Sequence, residues 1–308
     1  MTFNEVEQAR QKYAKKLLLM IVSLGVIFLV VVSLVFFLPL MIISASGKEL
    51  RVDDLGGAGV IVLMAAMFAI PVGAWVLGFK RSNSRRIYEK YYKAYFVKTS
   101  LRNILDNVKY DHEQGIDSQV LRDTRMIRMG NVYNSDDWTM AEYKGLDFVQ
   151  ADVEIGDSDT DGSRTLFKGR WMIFGFPKKF NFRLKVIEKW FPSDLRYGNM
   201  RRVEVESQDF NDLFKIYAED DFEAFYLLDP ALLEGITRLG KNYKGKIMLC
   251  FVENKLHVAL HDRKDAFEPP RNVFKPLDEQ AEMEKVAGEI KVVTDFVDGL
   301  RLDKKLFQ

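Results

Sequence analysis

Two long stretches near the N-terminus carry no ionisable side chain, Leu17 to Gly47 and Leu55 to Phe79. Each exceeds the roughly 20 apolar residues that cross a bilayer as a helix, so the pattern predicts transmembrane helices over 17–46 and 55–79. Pro39 and Pro71 would break a soluble helix, but in a bilayer neighbouring helices and local adjustments satisfy the freed carbonyls. The rival for the first run is a cleaved signal peptide ending at Ser44-Ala45-Ser46-Gly47. A signal core is usually about 7–15 residues, and this run is about twice that, which argues against cleavage.

Beyond the second run the periodicity changes. Tyr88, Tyr91, Tyr92 and Tyr95 recur at helical spacing with basic residues between them, predicting a helix over about 84–107. From Thr124 to Glu206 short aromatic and β-branched runs are separated by turn chemistry. They predict antiparallel strands at 126–129, 138–143, 148–154, 165–176, 180–188 and 202–206. A short helix at 209–214 and an apolar piece at 215–218 follow. Asp220 with Glu223 forms a capping box for the next helix, Asp229-Pro230 starts another, and Gly240 is placed to end it. Ile247 to Val252 and Leu256 to His261 read as a hairpin about Glu253-Asn254-Lys255. Met283, Val286, Ile290, Val293, Val297 and Leu300 mark a last helix over about 276–300. That stripe lasts under the three or four heptads of a coiled coil, so packing on the sheet is favoured.

The predicted fold class is two N-terminal transmembrane helices plus a cytoplasmic α+β domain, mainly antiparallel sheet with helices packed on it and a long C-terminal helix. The boundaries are a tail at 1–16, spans at 17–46 and 55–79 joined by an external loop at 47–54, a basic juxtamembrane helix at 80–110, and the domain at 111–308. Orientation follows the basic residues beside the spans. Arg10, Lys12, Lys15 and Lys16 precede the first. Lys80, Arg81, Arg85, Arg86, Lys90 and Lys93 follow the second, and the loop's Lys48 and Arg51 are offset by three acids. Both termini are therefore expected on the cytoplasmic side of the membrane. The single cysteine, Cys250, fits a reducing compartment. After Lys98 there are 32 basic and 38 acidic residues, a balance that argues against nucleic acid as a partner.

Five features carry candidate chemistry. Arg81, Arg85, Arg86, Lys90 and Lys93, interleaved with Tyr88, Tyr91, Tyr92 and Tyr95, are candidate lipid-headgroup contacts, since each cation gains about 1 kcal/mol near an anionic surface. The alternative is that the tyrosines pack on the protein itself. Ala65, Ala69 and Gly73 recur every four residues and would let another helix approach closely. Gly240 to Lys246 has the spacing of a phosphate loop, but Ile247 stands where a hydroxyl should hold magnesium, and the helix precedes instead of following. Asp157 to Gly162 opens like an EF-hand, but its twelfth position is Lys168, so an acidic hairpin turn is the better reading. His257 and His261 are about 13 Å apart on a strand, too far to share a zinc ion. No metal, cofactor or catalytic residue is assigned, and the spans hold no charge to mark an ion path.

Val205-Glu206, Phe210, Phe214, Ile216 to Asp220, Glu223-Ala224, Tyr226 to Leu228, Pro230 and Leu232-Leu233 together resemble a bacterial membrane-protein family, domain of unknown function 3137. The likeness continues through Ile247 to Leu260 and Phe267-Glu268-Pro269. Phe225 departs from the family, where an arginine commonly follows Glu-Ala. The resemblance implies a bacterial cell-membrane protein, and a LemA-type membrane protein as partner, since family members are often encoded beside one. The expected function is a non-enzymatic anchored module that binds a protein partner or lipid headgroups. The alternative is a membrane-tethered enzyme using carboxylates from Asp136-Asp137 or Asp157 to Asp161. A homo-oligomer through the small-residue face and the last helix is a third reading.

Overall fold

Apolar residues at helical spacing, three of the runs preceded by an acid that accepts a backbone N–H, set the helices of the C-terminal half. Asp220 accepts from Glu223 N at 3.0 Å, Asp229 from Leu232 N at 2.7 Å and Asp278 from Ala281 N at 3.1 Å. The computed structural model describes residues 1–46, 83–160, 162–189, 191 and 199–302, with side chains of 30–46 excluded. The run Leu55 to Phe79, the external loop, Arg81, Ala65, Ala69 and Gly73 lie outside the described residues. The chain groups into two compact units, Met1–Tyr92 with Pro270–Leu277, and Lys93–Pro269 with Asp278–Gln308.

The first unit contains α1 (Phe3–Ser46) and α2 (Asn83–Tyr92). Val6 and Ala9 of α1 and Ser84, Tyr88 and Tyr92 of α2 are buried, and the Tyr13 and Tyr88 rings stack at 6.2 Å. Arg10 pairs with Glu7 and donates to Val273 O, which ties the 270–277 segment to α1. Among the described residues no helix is long and apolar enough to cross a membrane. The first uncharged run begins on α1 at Leu17, and the described side chains stop at Leu29.

The second unit opens with a π-helical turn, Lys93–Val97, then α3 (Lys98–Ile104), β1 (Asp106–Asp111), α4 (Ser118–Thr124), β2 (Val132–Tyr143), β3 (Leu146–Asp159), β4 (Gly162–Glu188) and β5 (Arg201–Val203). α5 (Gln208–Leu213), β6 (Phe214–Ala218), α6 (Asp221–Leu227), α7 (Pro230–Asn242), β7 (Lys246–His261) and α8 (Glu279–Leu300) follow. Every pairing is antiparallel, in the order β1-β2-β3-β4-β6-β5 with β7 on the other edge of β4. β4 is the spine. Its first part pairs with β3, its last part with β6, and β7 runs along both.

One sheet face carries Trp171, Phe167, Val153, Ile155 and Cys250, packed with Leu121 and Met126 from α4 and the segment after it. The opposite face carries Arg170, whose Nη1 reaches Glu289 O of α8 at 2.6 Å. The α8 stripe Val286, Ile290, Val293, Val297 and Leu300 is buried within the single chain, as the packing reading expects.

Several expectations need correction. Residues 126–129 form no strand, because Arg125 turns left-handed (φ 51°) to end α4 and Met126 drops into the core. Glu253-Asn254-Lys255 is no turn: β7 runs through it. Phe180 pairs with Glu253 (φ 55°) and Gly175 with Lys255, with register shifts around both, so the two long strands bulge together. The 84–107 helix stops at Ile104, and the residues after it enter the sheet as β1. α7 does not end at Gly240 but continues to Asn242; a Cβ at Gly240 would stand 2.6 Å from the Phe214 ring, so that glycine serves packing.

A pair of glycines tests the helix packing. A Cβ on Gly235 of α7 would lie 2.3 Å from Gly299 O of α8, whereas one on Gly288 meets nothing within 4 Å. Alanine gains about 1 kcal/mol of helix propensity at either position. Overpacking against a backbone oxygen costs about 1–3 kcal/mol. Gly288→Ala is therefore expected to raise the thermal midpoint and Gly235→Ala to lower it, in the same melting experiment.

Candidate functional site

A bulge in β2 assembles the most unusual cluster in the second unit. Asp136 pairs with Asp152 and Thr139 with Gln150, and the register shifts between them. Asp137 takes φ 56°, a conformation aspartate tolerates better than most residues. Regular alternation would send Asp136 and Asp137 to opposite faces. The bulge lifts that rule, and Asp136, Asp137 and Asp152 each place one oxygen within 4.8 Å of the others.

A lysine answers the cluster. Lys93, at the start of the π-helical turn, is buried with Nζ 2.5 Å from Asp137 Oδ2 and 3.0 Å from Glu268 Oε1. Tyr110 O–H donates to Asp137 Oδ1 at 2.5 Å. Burial opposes the charge on Lys93, but the Asp137 and Glu268 carboxylates outweigh it and raise its pKa. Burial pushes Asp137 up to about 6 against the pull of Lys93 and Tyr110. It pushes Asp152 to about 8, opposed by Arg170 and reinforced by Asp137. Asp136 is also raised, first by burial.

The cluster suits a proton or an internal ion pair better than a resident metal. Both Asp137 oxygens are engaged and the Lys93 ammonium stands where a cation would, which leaves too few oxygens for the six to eight of a calcium shell. Asp152 Oδ2 accepts from Ala266 N. Beside Asp152 on the same strand face, Gln150 is 1% exposed and neither amide atom has a hydrogen-bond partner.

Asp152 also lines a cleft of about 330 Å³. The cleft is bounded by Arg170 of β4, Gly288 and Glu289 of α8, the 242–244 segment and the 262–266 segment. A larger, open groove of about 950 Å³ lies elsewhere, between Val205–Asp209, Phe225 and Leu228 of the α6 region, and α7.

The headgroup candidates separate. Arg85, Arg86 and Lys90 are exposed, Tyr91 and Tyr95 are half-buried, and Tyr88 and Tyr92 are buried. Tyr95 O–H bonds Glu279 in the second unit, and Lys93 belongs to the acidic cluster. His257 is buried, accepts from Trp171 Nε1 at 3.2 Å and is pushed down to about 3 by burial. His261 accepts from Lys168 N at 3.1 Å. The EF-hand-like segment is the β3–β4 hairpin turn, with Asp159 opposite Gly162.

Sequence reasoning gave Lys93 another role and passed over Asp152, Arg170 and Tyr110. The usable signal was the alternation of Gln150, Asp152 and Glu154 against Ala151, Val153 and Ile155, a polar row on a strand whose other face is core.

Residues 165–302 match the family described as "Protein of unknown function (DUF3137)". A comparison with curated proteins finds no match. Among solved structures, the crystal structure of the mycobacterial trehalose monomycolate transport factor A, TtfA, aligns at 10% identity and a TM-score of 0.36. That alignment covers 69% of this chain and 95% of that one. A likeness of that extent carries no argument about this chain.

Proposed function

We propose that this chain, whose residues 165–302 match the DUF3137 family model, a family described without an activity, is a membrane-anchored binding module. In this reading α1 and the run Leu55 to Phe79 are the anchor, and the α+β body works on the cytoplasmic side of the inner membrane, at its lipid headgroups. The observation that carries it is the surface of α1. Leu18, Leu19, Ile21, Val22, Val26, Phe28 and Leu29 are each 50% or more exposed and step around about half the helix circumference. So large an apolar surface is unstable in water and marks a membrane or partner contact.

Headgroup contact is supported by Arg85, Arg86 and Lys90, exposed on α2 shortly after the second uncharged run. At about 1 kcal/mol per cation, replacing all three with alanine is expected to weaken binding of residues 80–308 to anionic vesicles on the order of a hundredfold. Co-sedimentation measures it. Equal, negligible binding to anionic and neutral vesicles would sink the headgroup part of the proposal. A LemA-type membrane protein is the partner that the family resemblance suggests.

One observation favours a second reading, a tethered enzyme. Asp152, neutral near pH 7 at the wall of a cleft beside Arg170, has the character of a general acid. Catalysis by it requires a ligand in that cleft.

A further inference from the structure

We propose that the cleft between α8 and the 262–266 segment binds a small organic oxyanion, a phosphorylated or carboxylated molecule, held by Arg170 and hydrogen-bonded by Asp152.

Arg170 and Asp152 hold unused hydrogen-bonding capacity. Arg170 is 9% exposed and lines the cleft. Its guanidinium carries five N–H donors, and its one described acceptor is Glu289 O. The Phe267 ring, 5.4 Å away, holds the guanidinium by its face. Asp152 is its neighbour across the strands, yet none of the described ion pairs joins the two. Asp152, 5% exposed, takes Ala266 N on one oxygen, and the other has no described protein partner. A nearly buried arginine in this state is completed by a planar oxyanion accepting two parallel N–H bonds.

The remaining charges of the cleft select the sign of the ligand. Asp262 is engaged by Tyr243 O–H at 2.9 Å and Lys264 N at 3.0 Å. Glu289 accepts from Phe267 N at 2.6 Å, and Asp265 pairs with Lys168 at 3.1 Å. Lys244 and Lys264 are exposed at the cleft with no described ion pair. With Asp265 paired to Lys168, the three cations Arg170, Lys244 and Lys264 face the two carboxylates Asp262 and Glu289, whose described donors are neutral, which leaves the cleft a small positive balance. Held near 8, the Asp152 carboxyl is protonated at neutral pH and donates to an oxyanion instead of repelling it. A volume of about 330 Å³ is at the small end of ligand sites, which suits a metabolite-sized molecule.

The test uses the full chain in dodecyl maltoside, whose micelles contain no phosphate, with calorimetric titration of glucose 6-phosphate, succinate and a short-chain phosphatidate. The expected result is saturable binding of at least one probe, and which one binds separates a sugar phosphate, a carboxylate and a lipid headgroup as the source. Arg170→Gln is expected to weaken it at least tenfold. Gly288→Leu, at a helix position with open space around it, is expected to abolish binding while the thermal midpoint holds or rises. No binding of any probe, or binding that both variants leave unchanged, overturns the proposal.

Discussion

Replacing Lys93 with methionine is expected to destabilise the α+β body by about 3–5 kcal/mol, the usual penalty for stranding one partner of a buried ion pair. Asp137, 2% exposed, would lose its cation and keep only the Tyr110 hydroxyl. Urea unfolding followed by tryptophan fluorescence reads the loss, since Trp171 is fully buried beside this region of the sheet. The second variant decides the mechanism. In Lys93→Met with Asp137→Asn, asparagine keeps the left-handed backbone and can still accept from Tyr110, while removing the charge. That pair is expected to recover most of the stability, because exchanging a whole buried ion pair is often close to neutral. A single variant within about 1 kcal/mol of wild type would show that Asp137 does not depend on Lys93 for its burial, since a stranded buried carboxyl can also take up a proton.

The second large effect is a dependence on pH. Asp137 is raised to about 6 and Asp152 to about 8 from an ordinary 3.8. The folded state therefore holds these protons more tightly than the unfolded chain does. Their stabilisation is complete below about pH 4 and is lost as pH rises through about 6 and about 8. Each group alone contributes a slope of up to about 1.4 kcal/mol per pH unit in its window. Asp152→Asn removes the larger share. Its stability relative to wild type is expected to rise by roughly 2–4 kcal/mol between pH 5 and 8.5. Parallel stability profiles for the two proteins would mean that Asp152 titrates as an ordinary carboxylate.

These two residues also mark how far the fold and site are legible in the chain. The α+β class, the antiparallel pairing and the capped helix starts were readable because their causes are local. An acid three residues before an N–H, or a stripe every three or four residues, is written within one turn. The lengths of β4 and β7 were not readable. Pro177-Lys178-Lys179 and Glu253-Asn254-Lys255 are polar interruptions that serve equally as turns or as bulges, and only their meeting across the β4–β7 ladder makes them bulges. Lys93 was misassigned for a similar reason. Among Arg86, Lys90 and the tyrosines it reads as one more surface cation, and its partner Asp137 is 44 residues away on a bulge with no local signature. Asp152 stood in a visibly polar row. Its burial depends on Ala266 and Arg170 from distant parts of the chain, and no window around Asp152 contains them.

The same distinction applies to the anchor. As proposed, it rests on two uncharged runs whose length and polarity match what a bilayer imposes on contiguous residues; among the described residues no helix is long and apolar enough to cross a membrane, and α1 exposes apolar side chains from Leu18 to Leu29. The functional account rests on this anchor, since headgroup contacts at Arg85, Arg86 and Lys90 require a nearby bilayer. Alkaline carbonate extraction of membranes carrying the full chain tests it directly. An anchored protein is expected to remain in the pellet and to be released only by detergent, whereas release into the carbonate supernatant would contradict the account.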